Sequence, residues 1–279
     1  MELFPPAPSQ TAPLLHRAAR GESGQAVVEA AIILPAMIFL ILCILQLTLL
    51  QQARISVEYA AFNAARVGIV HNMNNGIDGS DPSGMMRNAA VYSILPSYGR
   101  TDTMAAITAT QAKYESDDTA MRARGLSIIK VGVLNPHKGD FATFGAHLNG
   151  KEIDFDDMRP AALSATLLSI QVRYLFELRV PFANKMIQAI WFASQVGLLN
   201  TWTGFDLSNP TIGSASGPSA VNTSITAGGG AGILQDGMPG GLNMAALSGL
   251  ATGGRFYMPV DAWFTMRMQS NPYYQWAAP

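Results

Sequence analysis

From Ala30 to Leu45 the chain carries no polar side chain, and its apolar character runs on to Leu50 with only Gln46 and Thr48 interrupting. Counted from Ala26, this run exceeds the roughly 20 residues that a helix needs to cross a bilayer. A helix apolar on every side would have to be surrounded to be a core element, and too little chain remains to do so. A membrane-spanning helix to about Leu50 is predicted. Beyond it the pattern changes without a strong breaker: Gln51, Gln52, Arg54, Glu58, Asn63 and Arg66 make a polar side, while Ile55, Tyr59, Phe62 and Ile69 recur at helical spacing. The helix is therefore expected to leave the membrane and continue as an amphipathic rod to about Val70, the whole helix over 25–70 being roughly 70 Å long.

The stretch "HNMNNGIDGSDPSG" from His71 to Gly84 ends the rod through Gly, Asn and Asp-Pro turn chemistry and reads as a solvated turn. Two helices follow, over 85–95 and 104–124. Alternation of apolar and polar positions then marks strands. In "SIQVRYLFELRVP", Ile170, Val172, Tyr174, Phe176, Leu178 and Val180 share one face opposite Gln171, Arg173, Glu177 and Arg179. In "VDAWFTMRMQ", Val260, Ala262, Phe264, Met266 and Met268 lie opposite Asp261, Thr265, Arg267 and Gln269. A shorter strand is predicted over 126–134. One apolar and one polar face suits an antiparallel sheet covered on one side. Phe182 to Leu199 forms an apolar helix too short to span a membrane. It packs on the sheet, or rests on the membrane surface or a neighbouring subunit, with Trp191 and Phe192 inward. The glycine-rich segment 228–254 reads as a flexible excursion without a regular element. The predicted class is α+β, a long helix packed in part on an antiparallel sheet, with a head over 71–279.

The chain has 279 residues, 18 basic and 19 acidic, a formal net charge of −1 and a charged fraction of 13%. That balance gives no electrostatic footprint for nucleic acid, and none is expected as a partner. Cys43 is the one cysteine, so no intramolecular disulfide is possible. His16, His71, His137 and His147 are scattered without metal-ligand spacing, and no metal or cofactor is predicted. The acidic cluster at Asp154, Asp156 and Asp157 reads as a solvated loop. Neither a nucleophile with its base nor a glycosidase-like carboxylate pair stands out, so no catalysis is expected.

Glu29 is the anomaly of the apolar run. A carboxylate near a bilayer core costs roughly 2.5 to 3.5 kcal/mol on insertion scales unless it snorkels to the interface or finds a partner. Pro35 removes the donor that would reach Ala31, which either lets the helix bend or is tolerated as a membrane proline. Before the run, Pro5, Pro6, Pro8 and Pro13 keep the chain extended, and Arg17 and Arg20 add a small positive cluster. A secretory signal would place its cleavage site after the apolar core. Here a candidate processing glycine, Gly24, precedes it. The basic residues flank the run too evenly, Arg17 and Arg20 against Arg54 and Arg66, to decide topology.

Around these residues "RGESGQAVVEAAIILP" resembles the amino-terminal processing region of type IV pilin-like proteins, and most closely TadE-like minor pseudopilins of tight-adherence (Flp) pilus systems. Gly24, Glu29 five residues later, Pro35 within the apolar run and "VEYAAFNAARVGIV" from Val57 to Val70 carry the resemblance, with "MPVDAWFTMRM" and "LRVPF" further on. The resemblance implies that a membrane-embedded prepilin peptidase cuts between Gly24 and Gln25, removing a cytoplasmic leader of residues 1–24. It further implies that Glu29 faces the amino terminus of a neighbouring subunit as helices gather into a filament. Its implied partners are the inner membrane, the peptidase, other minor and major pilins and the pilus assembly platform. The carboxy-terminal domain would stand in the periplasm, or at the cell surface after assembly. "DGSDPS" from Asp78 to Ser83 lacks the DxSxS pattern carried by TadG-like proteins, and the chain far exceeds the major Flp pilins, which favours a minor subunit. The alternative is a receptor or binding module tethered by an uncleaved helix.

Overall fold

A computed structural model describes residues 15–76, 78–160, 162–195, 233–234, 238 and 241–279. Helix α1 (Leu15–Val70) is followed by α2 (Met85–Tyr98), α3 (Met104–Arg122), strand β1 (Ile129–Asn135), and the short helices α4 (Lys138–Phe144) and α5 (Ala162–Ala165). Strand β2 (Leu167–Glu177), helix α6 (Ala183–Gln195), the two-residue strands β3 (Ile233–Leu234) and β4 (Leu242–Asn243), helix α7 (Met244–Thr252) and strand β5 (Tyr257–Arg267) complete the order. The α+β class and the antiparallel sheet are as the alternation predicts. The extended proline-bearing start lies outside the described residues. From Leu15 onward, however, the expected leader is already helical and continuous with the rod.

The sheet runs β1-β2-β5, antiparallel throughout. Its register stacks Val131 on Val172 on Ala262, and Val133 on Ile170 on Phe264, giving the apolar rows that face α1 and α2. The predicted polar face of β2 is not open to solvent. Gln171, Arg173 and Leu175 on that side are as buried as Ile170 and Val172 on the other. β2 is the central strand, and the turn before β4 closes over its second face. There Arg173 Nε donates to Asp261 Oδ1 at 3.0 Å and Nη1 to the Gly241 carbonyl at 3.2 Å. The guanidinium satisfies acceptors that alternation alone would have left to water.

Of the stripe predicted for the upper half of α1, Ile69 is buried and Phe62 lies at the edge of the inward face, but Ile55 and Tyr59 are not covered. Ile55 and Tyr59 are 67% and 59% exposed, and the inward face is Ala53, Val57, Ala60, Ala61, Ala64 and Ala65 with Gly68 and Ile69. Both stripes have helical period, so periodicity cannot choose between them. Side-chain size decides, because small residues let the helix axis come close to α2 and the sheet. A Cβ built on Gly68 would lie 2.7 Å from Leu168 Cδ2 and 2.9 Å from Met86 Sδ. Phe62, at the edge of this face, meets Phe264 edge-on at 5.3 Å.

The end of α1 is closed by the carboxy-terminal tail. The His71 and Met73 N–H groups donate to the Val67 and Gly68 carbonyls, and the Gln269 N–H and Ser270 Oγ both donate to the next one, Ile69, at 3.1 and 2.9 Å. The following loop is packed rather than solvated, correcting the sequence reading. Asn75 Nδ2 donates to the Val131 carbonyl at 2.6 Å and the Val131 N–H donates to the Gly79 carbonyl at 2.9 Å, so the loop lies along the outer edge of β1. An edge with free N–H groups invites pairing with another chain, and this loop covers it.

The glycine-rich segment also departs from expectation where it is described. It holds β3, β4 and α7, whose first turn is capped by Asn243 Oδ1 accepting from the Ala246 N–H at 3.0 Å. "LNMAALSGLAT" combines a cap residue with good helix formers, a local signal that the glycine density masked. Helices α2 and α3 are joined by a buried ion pair, Arg87 Nη2 to Asp118 Oδ2 at 2.7 Å. Asp118 Oδ1 also accepts from the Ile128 N–H at 2.9 Å, tying the pair to the entry of β1.

Candidate functional site

The residues singled out by sequence all lie on the part of α1 that the head leaves uncovered. Val27, Val28, Ile32, Ile33, Leu34, Met37, Ile38, Leu40, Ile41 and Ile44 are each about half exposed or more, and they point in every direction around the axis. The most apolar window of α1 reaches a mean hydropathy of 2.8, and none of it is buried. Removing each such side chain from water is worth about 1.5 to 3 kcal/mol, so the fold cannot account for this surface in water. The helix is long and apolar enough to cross a membrane.

Gly24 sits inside the helix and is exposed, and a Cβ built on it would meet nothing within 4 Å. Neither a turn nor a close approach in the chain requires glycine there. Glycine within a helix costs about 1 kcal/mol relative to alanine, so this one is unfavourable for the fold that contains it. Gln25 continues the helix directly. Glu29 stands one turn beyond Gln25, exposed among Val28, Ile32 and Ile33, without a hydrogen bond or ion pair to any described residue. A carboxylate on this apolar surface has no partner among the described residues.

Pro35 lies within α1, which keeps helical geometry on both sides of it. The proline forms one wall of a cleft, together with Ile38, Phe39 and Leu42 of α1 and Phe182, Lys185, Met186 and Ala189 near or on α6. The structure thus places Gly24, Gln25, Glu29 and Pro35 along one exposed rod rather than gathering them into a pocket.

A residue that sequence reasoning passed over marks where the head takes hold. Gln46 is fully buried, and its Oε1 accepts a hydrogen bond from the Val180 N–H at 2.9 Å. Its signal was visible as a polar break in the apolar run, but one amide in such a run does not say which element covers it.

The acidic loops hold no comparable site. Asp157 forms a bidentate pair with Arg159, whose hydrogen bonds hold the carboxyl down to about 2. Among the described residues no group of three or more His, Cys, Asp or Glu side chains is placed to hold a metal ion.

The sequence model of the TadE-like protein family matches residues 24–66. The match begins at Gly24, runs through Glu29 and Pro35, and ends one turn short of the end of α1. No curated protein and no solved structure shows significant similarity to the chain. Over this part of α1 the chain is similar to TadE-like proteins.

Proposed function

We propose that the chain is a minor pilin-like subunit that is cut after Gly24, held in the inner membrane by α1 and drawn from there into a Tad pilus assembly. The observation that carries this reading is the start of the family match at Gly24, a helical glycine for which the fold has no use. A peptidase that must close on the backbone has such a use, since a side chain at that position would stand in its way.

Cleavage leaves Gln25 as the new amino terminus and Glu29 as the fifth residue. The carboxylate, without a partner among the described residues, then meets the terminal ammonium of an adjacent subunit, and in low dielectric this pairing offsets much of the desolvation of both charges. The exposed stripe of Ile55 and Tyr59 continues the apolar surface of α1 beyond the bilayer, so neighbouring helices have a surface to pack against along most of its length. The work is mechanical and associative, with the leader in the cytoplasm, the head in the periplasm and no chemistry performed by the chain. A tethered receptor would need neither Gly24 nor an uncovered Glu29.

Mass spectrometry of the protein purified from its membranes tests this reading. Wild type is expected to begin at Gln25, and Gly24→Leu to retain residues 1–24 while still inserting. A wild-type protein that keeps those residues in assembled pili would overturn it.

A further inference from the structure

Below Gln46 the head keeps one element beside the uncovered half of α1. Helix α6 turns Ala183, Gln188 and Phe192 into the head, and Gln188 Nε2 donates to the Tyr257 carbonyl at 2.9 Å. Its other side is also apolar. Phe182, Met186 and Ile190, at four-residue spacing on one stripe, are 76%, 41% and 39% exposed. This stripe opens onto the cleft of about 490 Å³ whose far wall is Pro35, Ile38, Phe39 and Leu42, all within the apolar run of α1.

The level of α6 along α1 identifies what covers it. About 20 residues cross a bilayer, so within the apolar run, which continues to Leu50, a helix that enters near Gln25 reaches the far edge of the hydrocarbon near Leu45 and passes the headgroups over the residues up to Leu50. The cleft ends three residues short of that edge, roughly 5 Å below it at 1.5 Å per residue, and begins roughly 15 Å below. An interfacial helix sinks its apolar face about 5 to 10 Å into the boundary of headgroups and acyl chains. The upper part of the cleft lies at this depth.

Two further features fit that environment. Phe182 has φ +64°, in the left-handed region that a bulky residue avoids, with the Ala183 N–H donating to the Pro181 carbonyl at 2.8 Å across it. The ring so presented packs on little of the chain itself. Arg179 and Lys185 are exposed beside the stripe, and Lys185 forms no ion pair with any described residue. Long cationic side chains in such positions bury their stems and raise the charge to the phosphate layer.

We propose that α6 is a membrane-interface helix, seating Phe182, Met186 and Ile190 among the acyl chains of the leaflet on the head's side, with Lys185 at the phosphate groups. The head then rests on the bilayer instead of standing clear of it on α1, and it must surrender this contact when the subunit leaves the membrane. The proposal rests on α1 crossing the bilayer, but not on processing or on pilus assembly.

The test uses the full chain with Cys43→Ala and a single labelling site, Met186→Cys, carrying an environment-sensitive fluorophore. The protein is reconstituted into phosphatidylcholine–phosphatidylglycerol vesicles with a nitroxide placed shallow or deep on the acyl chain. Ile33→Cys reports α1, and Val70→Cys, roughly 36 Å beyond Gln46 along the helix, reports the distal head. The shallow nitroxide is expected to quench the label at position 186 at least twofold and to spare position 70, while the deep one quenches position 33. Quenching at 33 with none at 186 beyond that at 70 overturns the proposal and leaves the anchor intact. A blue-shifted but unquenched label at 186 also overturns it, because a protein neighbour then covers the face. Absence of quenching at 33 overturns the membrane anchor itself, and the proposal with it.

Discussion

Gln46, in the last turns of the apolar run, presents its side-chain carbonyl to the backbone N–H of Val180 at 2.9 Å, where β2 gives way to the turn into α6. This bond ties the end of β2 to α1 just above the level of α6. Its Nε2, by contrast, has no partner and stays buried, so the amide is retained for its acceptor. Gln46→Leu leaves the Val180 N–H buried and unpaired, at a cost of about 1 to 3 kcal/mol. Amide exchange at Val180 is expected to accelerate about tenfold, the equivalent of about 1.4 kcal/mol, with exchange at Val172 unchanged. Equal rates at Val180 in variant and wild type would mean that the bond does not hold the head.

The Arg87–Asp118 pair sits at the junction of α2, α3 and β1, with both side chains nearly or wholly buried. Arg87→Met removes one charge and leaves Asp118 partly compensated by Arg122, whose Nε lies 3.0 Å from the same carboxylate oxygen. Loss of one partner of a buried pair costs about 3 to 5 kcal/mol, and the Arg122 contact places this variant at the lower end. Asp118→Leu additionally frees the Ile128 N–H and is expected to be the worse of the two. Urea unfolding of the detergent-solubilised chain checks the order, and equal midpoints for the two variants would contradict it.

Two glycines predict opposite outcomes for the same substitution. At Gly68 an added Cβ meets the far ends of Leu168 and Met86, which can rotate away, and alanine gains about 1 kcal/mol of helix propensity. Gly68→Ala should therefore fall within about 1 kcal/mol of wild type. At Gly79, with φ +76°, the Cβ would lie 1.8 Å from the carbonyl oxygen of Val131, a β1 residue whose carbonyl accepts from Asn75 Nδ2 of the same loop. Gly79→Ala should lose at least about 2 kcal/mol through left-handed strain and the displaced loop. Thermal unfolding of the two variants side by side tests the difference.

The sequence made the long helix, the three strands of the main sheet and their antiparallel pairing legible, because β2 and β5 largely alternate and the apolar run passes into the following helical pattern without a strong breaker. Three features were not legible, each for a physical reason. Ile55 and Tyr59 have the period of a core stripe, yet the alanines one step around the helix win because close packing favours small residues over apolar large ones. Arg173 reads as solvent-facing until Asp261 and the Gly241 carbonyl, both distant in sequence, are brought to it. The loop around Gly79 has turn chemistry, but its role in covering β1 depends on a strand that begins some fifty residues later. Of the candidate site, Gly24 and Glu29 were legible as anomalies of type and place. Gln46 was not, since its meaning depends on Val180.

Glu29, exposed and without a partner among the described residues, is proposed to be held for the amino terminus of a neighbouring subunit. Site-specific photo-crosslinking from Ile32, 71% exposed and one turn from Glu29, in cells that assemble pili measures this most directly. Wild type should give adducts with other pilin subunits. Glu29→Ala should insert at least as well, since the insertion penalty is gone, yet lose those adducts, because an unpaired buried terminus costs about 3 to 5 kcal/mol. Glu29→Asp should restore part of the yield by returning the charge. Equal adduct yields in wild type and Glu29→Ala, with pili formed normally in both, would contradict the claim and leave Glu29 an interfacial carboxylate.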